Sequence, residues 1–259
     1  MKKTVGLLWV FLALLSVLVT VLIFLPANWI GALLESQTGG RFALGEVSGN
    51  FWRGSAFLGV AADKNSPLTP LFPGRFSWKI SPIILLGQVS VELENQAVLS
   101  DAVKINGSLS QWQVSGASIK LPSERLEGLG APLNTIGPRG NIVLRWGQLQ
   151  IERRNTGVAI DGSMQLEMSE MASRISSIKP LGSYYMSFQW HGETADFVLS
   201  TLKGPMMLEG SGALVNGRLQ FMGKAFAEAG QEERLANLLN LLGRRRQEGD
   251  KQVIALEYR

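Results

Sequence analysis

No cysteine occurs among the 259 residues, and histidine occurs once, at His191. The first absence excludes disulfides, thiolate nucleophiles and Cys-ligated metal. It is compatible with an oxidising compartment without demonstrating one. The second removes most enzyme classes. There is no H-E-x-x-H pair and no G-x-S-x-G elbow. A Ser-His-Asp triad would have to use His191. That residue closes Phe188-Gln189-Trp190-His191-Gly192-Glu193, the end of an apparent strand, where an exposed or turn histidine is the favoured reading. A periplasmic hydrolase is accordingly the weakest functional class. Charge is scarce too. The net value is +4, and Lys2 and Lys3 supply two of it, leaving about +2 for the rest. A nucleic-acid footprint needs Lys and Arg clustered on one face, so nucleic acid is not an expected partner. At 46% hydrophobic residues the chain can still bury a core and is not disordered.

Charge is absent altogether from Val5 to Leu25, VGLLWVFLALLSVLVTVLIFL, directly after Met1-Lys2-Lys3. About 20 apolar residues at 1.5 Å each cross the roughly 30 Å hydrocarbon core of a bilayer. Nothing basic follows until Arg41, so the positive-inside rule puts the N-terminus in the cytoplasm and residues from about 26 onward across the membrane. Asn28 and Trp29 fall where an interfacial aromatic sits. A cleaved signal peptide is the rival. Its apolar core runs about 7–15 residues before a small-x-small site. Here the core is longer, and Phe24-Leu25-Pro26-Ala27-Asn28-Trp29 is a poor cleavage site. An uncleaved anchor is expected. Ser16 and Thr20 are a weak signal for helix packing.

From Pro26 to Gln37, Ile30, Leu33 and Leu34 recur at helical spacing, and Gly39-Gly40 stops the pattern. The period then becomes two. Phe76-Ser77-Trp78-Lys79-Ile80 and Val89 to Glu94 alternate as half-buried strands do. Ser81-Pro82 starts a turn or one turn of helix through Ile83 to Leu86. Asn106-Gly107 predicts a hairpin turn. Pro67, Pro70 and Pro73 exclude a central strand from Pro67-Gly74. Pro122 to Leu126 can cap a short helix. Leu121 to Pro138, rich in Gly and Pro, reads as a joint between two halves of one sheet.

The second half repeats the style. Strands are expected at Gly140-Trp146, Gln148-Glu152, Val158-Leu166 (with Asp161-Gly162 a turn or bulge), Tyr185-Trp190, Asp196-Leu199 and Met206-Gly210. Gly212-Phe226 predicts a hairpin on Asn216-Gly217. Leu235, Leu238, Leu239 and Leu242 form an i, i+3, i+4, i+7 stripe, so Glu232 to Leu242 predicts one late helix, ended by Gly243. Gln252 to Tyr258 is a final strand. Successive hairpins make a meander.

Particular residues resemble a known family. Gly49-Asn50-Phe51-Trp52-Arg53-Gly54-Ser55-Ala56 resembles the G-x-x-W-x-G-x-A signature of the type II secretion system protein N family. Trp78, Pro82 and Leu85-Leu86-Gly87 resemble its W-x-x-x-P-x-x-L-L-x-G stretch, with Gly87 one position earlier than that pattern places it. Gly210 to Ala227 and Leu238 to Gly243 resemble its C-terminal elements. Order and spacing carry the likeness; about Ser100 to Gly182 adds little. The resemblance implies a mainly β chain: one transmembrane helix, then an elongated, curved antiparallel sheet of hairpins with one late short helix. It divides the chain into a cytoplasmic tip (1–4), a transmembrane helix (5–25), a short helical connector (26–40) and a periplasmic β-rich domain (41–259). It implies a non-enzymatic, single-pass inner-membrane accessory component of the general secretory machine, which exports folded periplasmic proteins. The partners implied are other secretion proteins: the inner-membrane platform and, as a second candidate, the outer-membrane channel. Membrane lipid contacts Val5-Leu25. No catalytic, cofactor or metal residue comes with the likeness.

Four residues are candidate partner contacts. Trp52 lies between glycine-flanked turns, as an interface anchor or, the favoured reading, as a core ring closing a tight hairpin. Arg244, Arg245 and Arg246 follow a helix. They complement its dipole in solvent or meet anionic lipid or an acidic partner. The rival function is an envelope lipid-handling protein with an apolar groove along the sheet. Met186, Phe188, Trp190, Phe197, Leu199, Met206 and Leu208 discriminate: full packing against one another excludes the groove.

Overall fold

The computed structural model describes residues 2–40, 42–60, 69–125, 133–155, 157–215, 218–248 and 251–258, with side chains from Trp9 onward except at 133, 134, 244 and 251. The uncharged N-terminal run forms a helix, α1 (Lys2–Ile23). Its described large apolar side chains stand exposed, Trp9 at 68% and Val17 at 61%. Among the described residues no helix is long and apolar enough to cross a membrane. The run expected to be a transmembrane helix over 5–25 is helical from Lys2 to Ile23.

The expected connector is α2 (Asn28–Thr38), closed by Gly39 at φ 62°. The amides of Gly39 and Gly40 both donate to Glu35 O. That left-handed cap explains why glycine follows the last helical residue.

Beyond α2 the chain is β1 (Phe42–Gly49), β2 (Arg53–Val60), β3 (Thr69–Pro70), β4 (Phe76–Ile80), a 3-10 turn (Pro82–Leu86), β5 (Gln88–Glu94), β6 (Val103–Ser108), β7 (Gln111–Val114) and β8 (Ala117–Pro122). There follow α3 (Leu133–Ile136), β9 (Pro138–Trp146), β10 (Leu149–Arg153), β11 (Val158–Ser173), β12 (Gly182–Gly192), β13 (Thr194–Lys203), β14 (Met206–Val215), β15 (Arg218–Ala227), α4 (Glu232–Leu242), β16 (Arg244–Glu248) and β17 (Lys251–Tyr258). All the strands belong to one sheet, and its ladders are antiparallel. Most strands lie beside their predecessors, but β4 pairs with β2, β10 with β7 and β11, and β9 with β8 and β11, and the order changes again at the end. There β17 pairs with β15, and β16 pairs with β17 on the outside. β7 and β8 act as one bent strand against β10 and β9: Val114 faces Leu149 and Ala117 faces Trp146.

One row of facing residues, mostly aromatic and apolar, crosses the second half of this sheet. Register puts Ala117 opposite Trp146, Trp146 opposite Met164, Met164 opposite Phe188, Phe188 opposite Phe197, Phe197 opposite Gly212, Gly212 opposite Phe221 and Phe221 opposite Tyr258. Phe197 and Phe221 stack with centroids 5.7 Å apart. Their strands flank β14, so an ordinary residue between them would hold the rings further apart, at about twice the 4.8 Å strand spacing. Beside this row, Ile142, Met171, Tyr184 and Leu199 complete one buried cluster. The helix α4 covers the other end, where Leu235, Leu238 and Leu239 bury against Ile178, Leu181, Met206, Ala225 and Ile254. The leucine stripe read in the sequence is the face that packs.

Several local expectations are corrected. Asn106-Gly107 lies inside β6, not at its turn. A Cβ on Gly107 would run into Gln111 O, so the glycine serves close approach. The reversal comes at Ser108, whose Oγ accepts from the amides of Ser110 and Gln111. Leu121 to Pro138 is not a joint between half-sheets: β8 and β9 pair across it as a hairpin. The Gly-rich part at 126–132 and the Asn216-Gly217 turn lie outside the described residues, as do Pro67 and Leu68. Asp161-Gly162 sits where β11 passes from β10 to β9. Three steps from Asp161 to Met164 span four from Gln150 to Trp146, a bulge on the facing chain.

Candidate functional site

The loop between β1 and β2, Asn50-Phe51-Trp52, closes on the end of α1. A helix leaves its last four carbonyls without partners inside the helix. Here Trp52 Nε1 donates to Leu22 O at 2.7 Å, and the Phe51 amide donates to Leu25 O at 2.8 Å. Pro26 bridges to Asn50. Phe51 and Trp52 meet edge to face at 5.2 Å, and Trp78 Nε1 donates to Phe51 O at 3.1 Å. Glycine is required twice: a Cβ on Gly54 would lie 2.5 Å from Trp78 Cζ2, and Gly49 has φ 90°. Under the clamp, Ala27, Ala56 and Trp78 are buried, with Ile30, Leu44 and Ile80 against them. Trp52 is half-buried. Its ring sits at the β1–β2 hairpin outside the buried cluster, and its indole also bonds the end of α1. The sequence pattern carried no signal for that bond, because the acceptor lies 30 residues earlier.

The arginines follow the end of α4, and Arg245 and Arg246 are exposed. They form β16, an edge strand. Arg246 Nη2 pairs with Glu257 Oε1 at 3.0 Å on β17. Arg245 Nε donates to Asn240 Oδ1 at 2.6 Å, in the last turn of α4. Only the backbone of Arg244 is described. A cavity of about 630 Å³ lies between α4 and the strands below it, lined by Met207, Phe226, Leu239 and Ile254, with Asn240 and Arg245 at its polar side. Trp52 and the arginines lie far apart in the order of the sheet, on opposite edge hairpins, and no pairing joins them.

His191 is exposed at the end of β12, and its carbonyl accepts from Thr194 Oγ1 at 3.1 Å. The residue opposite it, Asp161, gives its carboxylate to the Gly192 amide at 3.1 Å. Among the described residues no cluster of three His, Asp or Glu side chains is placed to hold a metal.

The inner-face residues divide. Phe197, Leu199 and Met206 are buried; Met186, Phe188, Trp190 and Leu208 are half-buried. Tyr184, also buried, donates its hydroxyl to Met206 O at 3.0 Å, and burial pushes its pKa well above the ordinary tyrosine value.

A family model for type II secretion system protein N matches residues 41–253, nearly the whole β region. The chain belongs to that family. It is therefore a type II secretion component, and membership implies interaction with other proteins of the same system. No curated protein and no solved structure gives a significant match. The match begins at β1 and ends in β17, so it takes in both the Trp52 clamp and the arginine edge strand.

Proposed function

We propose that the chain is a non-enzymatic accessory component of the type II secretion system, held in the inner membrane by Val5-Leu25 with Lys2 and Lys3 in the cytoplasm. Its β region, an elongated and curved sheet in the periplasm, takes part in export of folded proteins by contacts with the inner-membrane platform. The family match over residues 41–253 carries this reading. The anchor draws on the uncharged run and on the positive-inside rule. The clamp supports it, since Trp52 bonds the end of α1 to the first hairpin of the sheet. The exposed edge strand β16, with Arg245 and Arg246 at its surface, is the proposed partner contact. Trp52 is proposed as the coupling residue.

Two experiments test this. Carbonate extraction of membranes with protease digestion from either side reads the anchor: an extractable chain, or a mature mass showing cleavage after about residue 25, contradicts it. A secretion assay on His191→Ala reads the chemistry: unchanged export is expected, and loss of export from a folded variant reopens the enzyme reading.

A second reading, lipid handling, has one observation in its favour. Trp190 Nε1 is buried without a hydrogen-bond partner, beside the half-buried Met186 and Phe188. Copurification of lipid lost on Trp190→Phe is its test.

A further inference from the structure

We infer that the turn Pro82–Leu86 is a second membrane contact, lying in the headgroup region beside the end of α1. This rests on the reading of α1 as an anchor.

The turn reads Pro-Ile-Ile-Leu-Leu. Four aliphatic residues in a row at a loop need cover, yet Leu86 is 82% exposed, Leu85 59% and Ile83 37%. They are held out by a built turn. Ser81 Oγ accepts from the Ile83 amide, and Gly87, at φ 83°, donates back to the carbonyls of Ile83 and Ile84. Ile84 is half-buried and roots the turn.

Position selects the occupant. Arg53 faces Lys79 in the β2–β4 ladder, and the Ile80 amide donates to Trp52 O at 2.7 Å. Trp52 in turn donates to Leu22 O. Two hydrogen bonds thus lead from the residue before Ser81 to the end of α1. The next reversal along the sheet is at the same end, because Gln88 faces Ser108, and it exposes Leu109 at 60%. On α2, Trp29 at 63% and Leu33 at 58% lie one turn apart on one face. Exposed leucines in neighbouring turns beside the exit of an apolar helix match the interfacial zone, where apolar side chains bury at the headgroup boundary. A bilayer is the one surface that an anchored chain keeps permanently at that place.

The lack of cysteine makes the test direct. Single-cysteine variants Leu86→Cys, Val17→Cys and Leu202→Cys of the full chain carry an environment-sensitive fluorophore in phosphatidylethanolamine–phosphatidylglycerol vesicles with brominated lipid. Leu202, 58% exposed, lies toward the opposite end of its strand. Position 86 is expected to be quenched several-fold, as is position 17, with position 202 unchanged. Quenching at 17 but not at 86 overturns the inference and leaves the anchor intact. No quenching at 17 overturns both.

Discussion

The ring of Phe197 lies across Gly212: a Cβ on that glycine would sit 2.5 Å from Phe197 Cζ. The two are opposite one another in the β13–β14 ladder, and Phe221 faces the same glycine from β15. Gly212 is what lets two rings from strands two apart stack at 5.7 Å. A strand glycine ordinarily weakens its sheet through entropy; here it opens an aromatic contact worth about 0.5–1.5 kcal/mol beyond burial. Gly212→Val is expected to destabilise by about 1–3 kcal/mol through overpacking, read as a lowered urea midpoint. Ser211→Val, at an exposed position of the same strand, is expected to stay within about 0.5 kcal/mol.

Trp52→Phe removes one donor and leaves the Leu22 carbonyl without it. The expected loss is about 1 kcal/mol, seen as faster proteolysis between α1 and α2 while the melting of the sheet changes little. A junction as resistant as the wild type's would mean that the bond does not hold the helix.

The leucines of α4 are unequal. Leu235 is fully buried and Leu241 is 70% exposed. Leu235→Ala is expected to cost about 2–5 kcal/mol and to expose the cluster of Met206, Ala225 and Ile254 to an apolar dye. Leu241→Ala is expected to leave both readings near wild type.

Much of this was legible in the sequence. The bounds of α4 follow from its stripe, and Gly39 from its capping role. Met186, Phe188 and Trp190 alternate because one face of β12 is inward. What could not be read has physical reasons. Arg244-Arg245-Arg246-Gln247-Glu248 holds no apolar residue, so a period-two test is blind to β16; its strand character comes from pairing with Lys251–Tyr258. Gly212 looks like a weak point until the register brings Phe197 and Phe221 to it. Asn106-Gly107 carries a hairpin signal, but the backbone approach of Gln111 claims the glycine for the strand. Of the candidate contacts, Trp52 was visible as a hairpin ring, whereas its acceptor on α1 was not.

Tyr184 makes stability depend on alkaline pH. Its pKa is raised by burial, so the folded state keeps a proton that the unfolded chain releases near its ordinary value of about 10. The contribution of Tyr184 is fully present below pH 10 and is lost as pH rises from there through the folded value. Urea midpoints of the wild type are expected to fall above about pH 10. Tyr184→Phe, which also loses the bond to Met206 O, is expected to start lower at neutral pH and to fall less. Parallel declines would contradict this assignment.

Site-specific photocrosslinking in native membranes, with the reactive residue at position 245 or 246 of the edge strand, tests most directly whether the chain works by contact with its secretion system. Adducts containing a platform protein of that system, reduced when the rest of the machine is deleted, are the expected result. A chain that crosslinks only to lipid or to itself from these positions, in cells that are actively secreting, would contradict it.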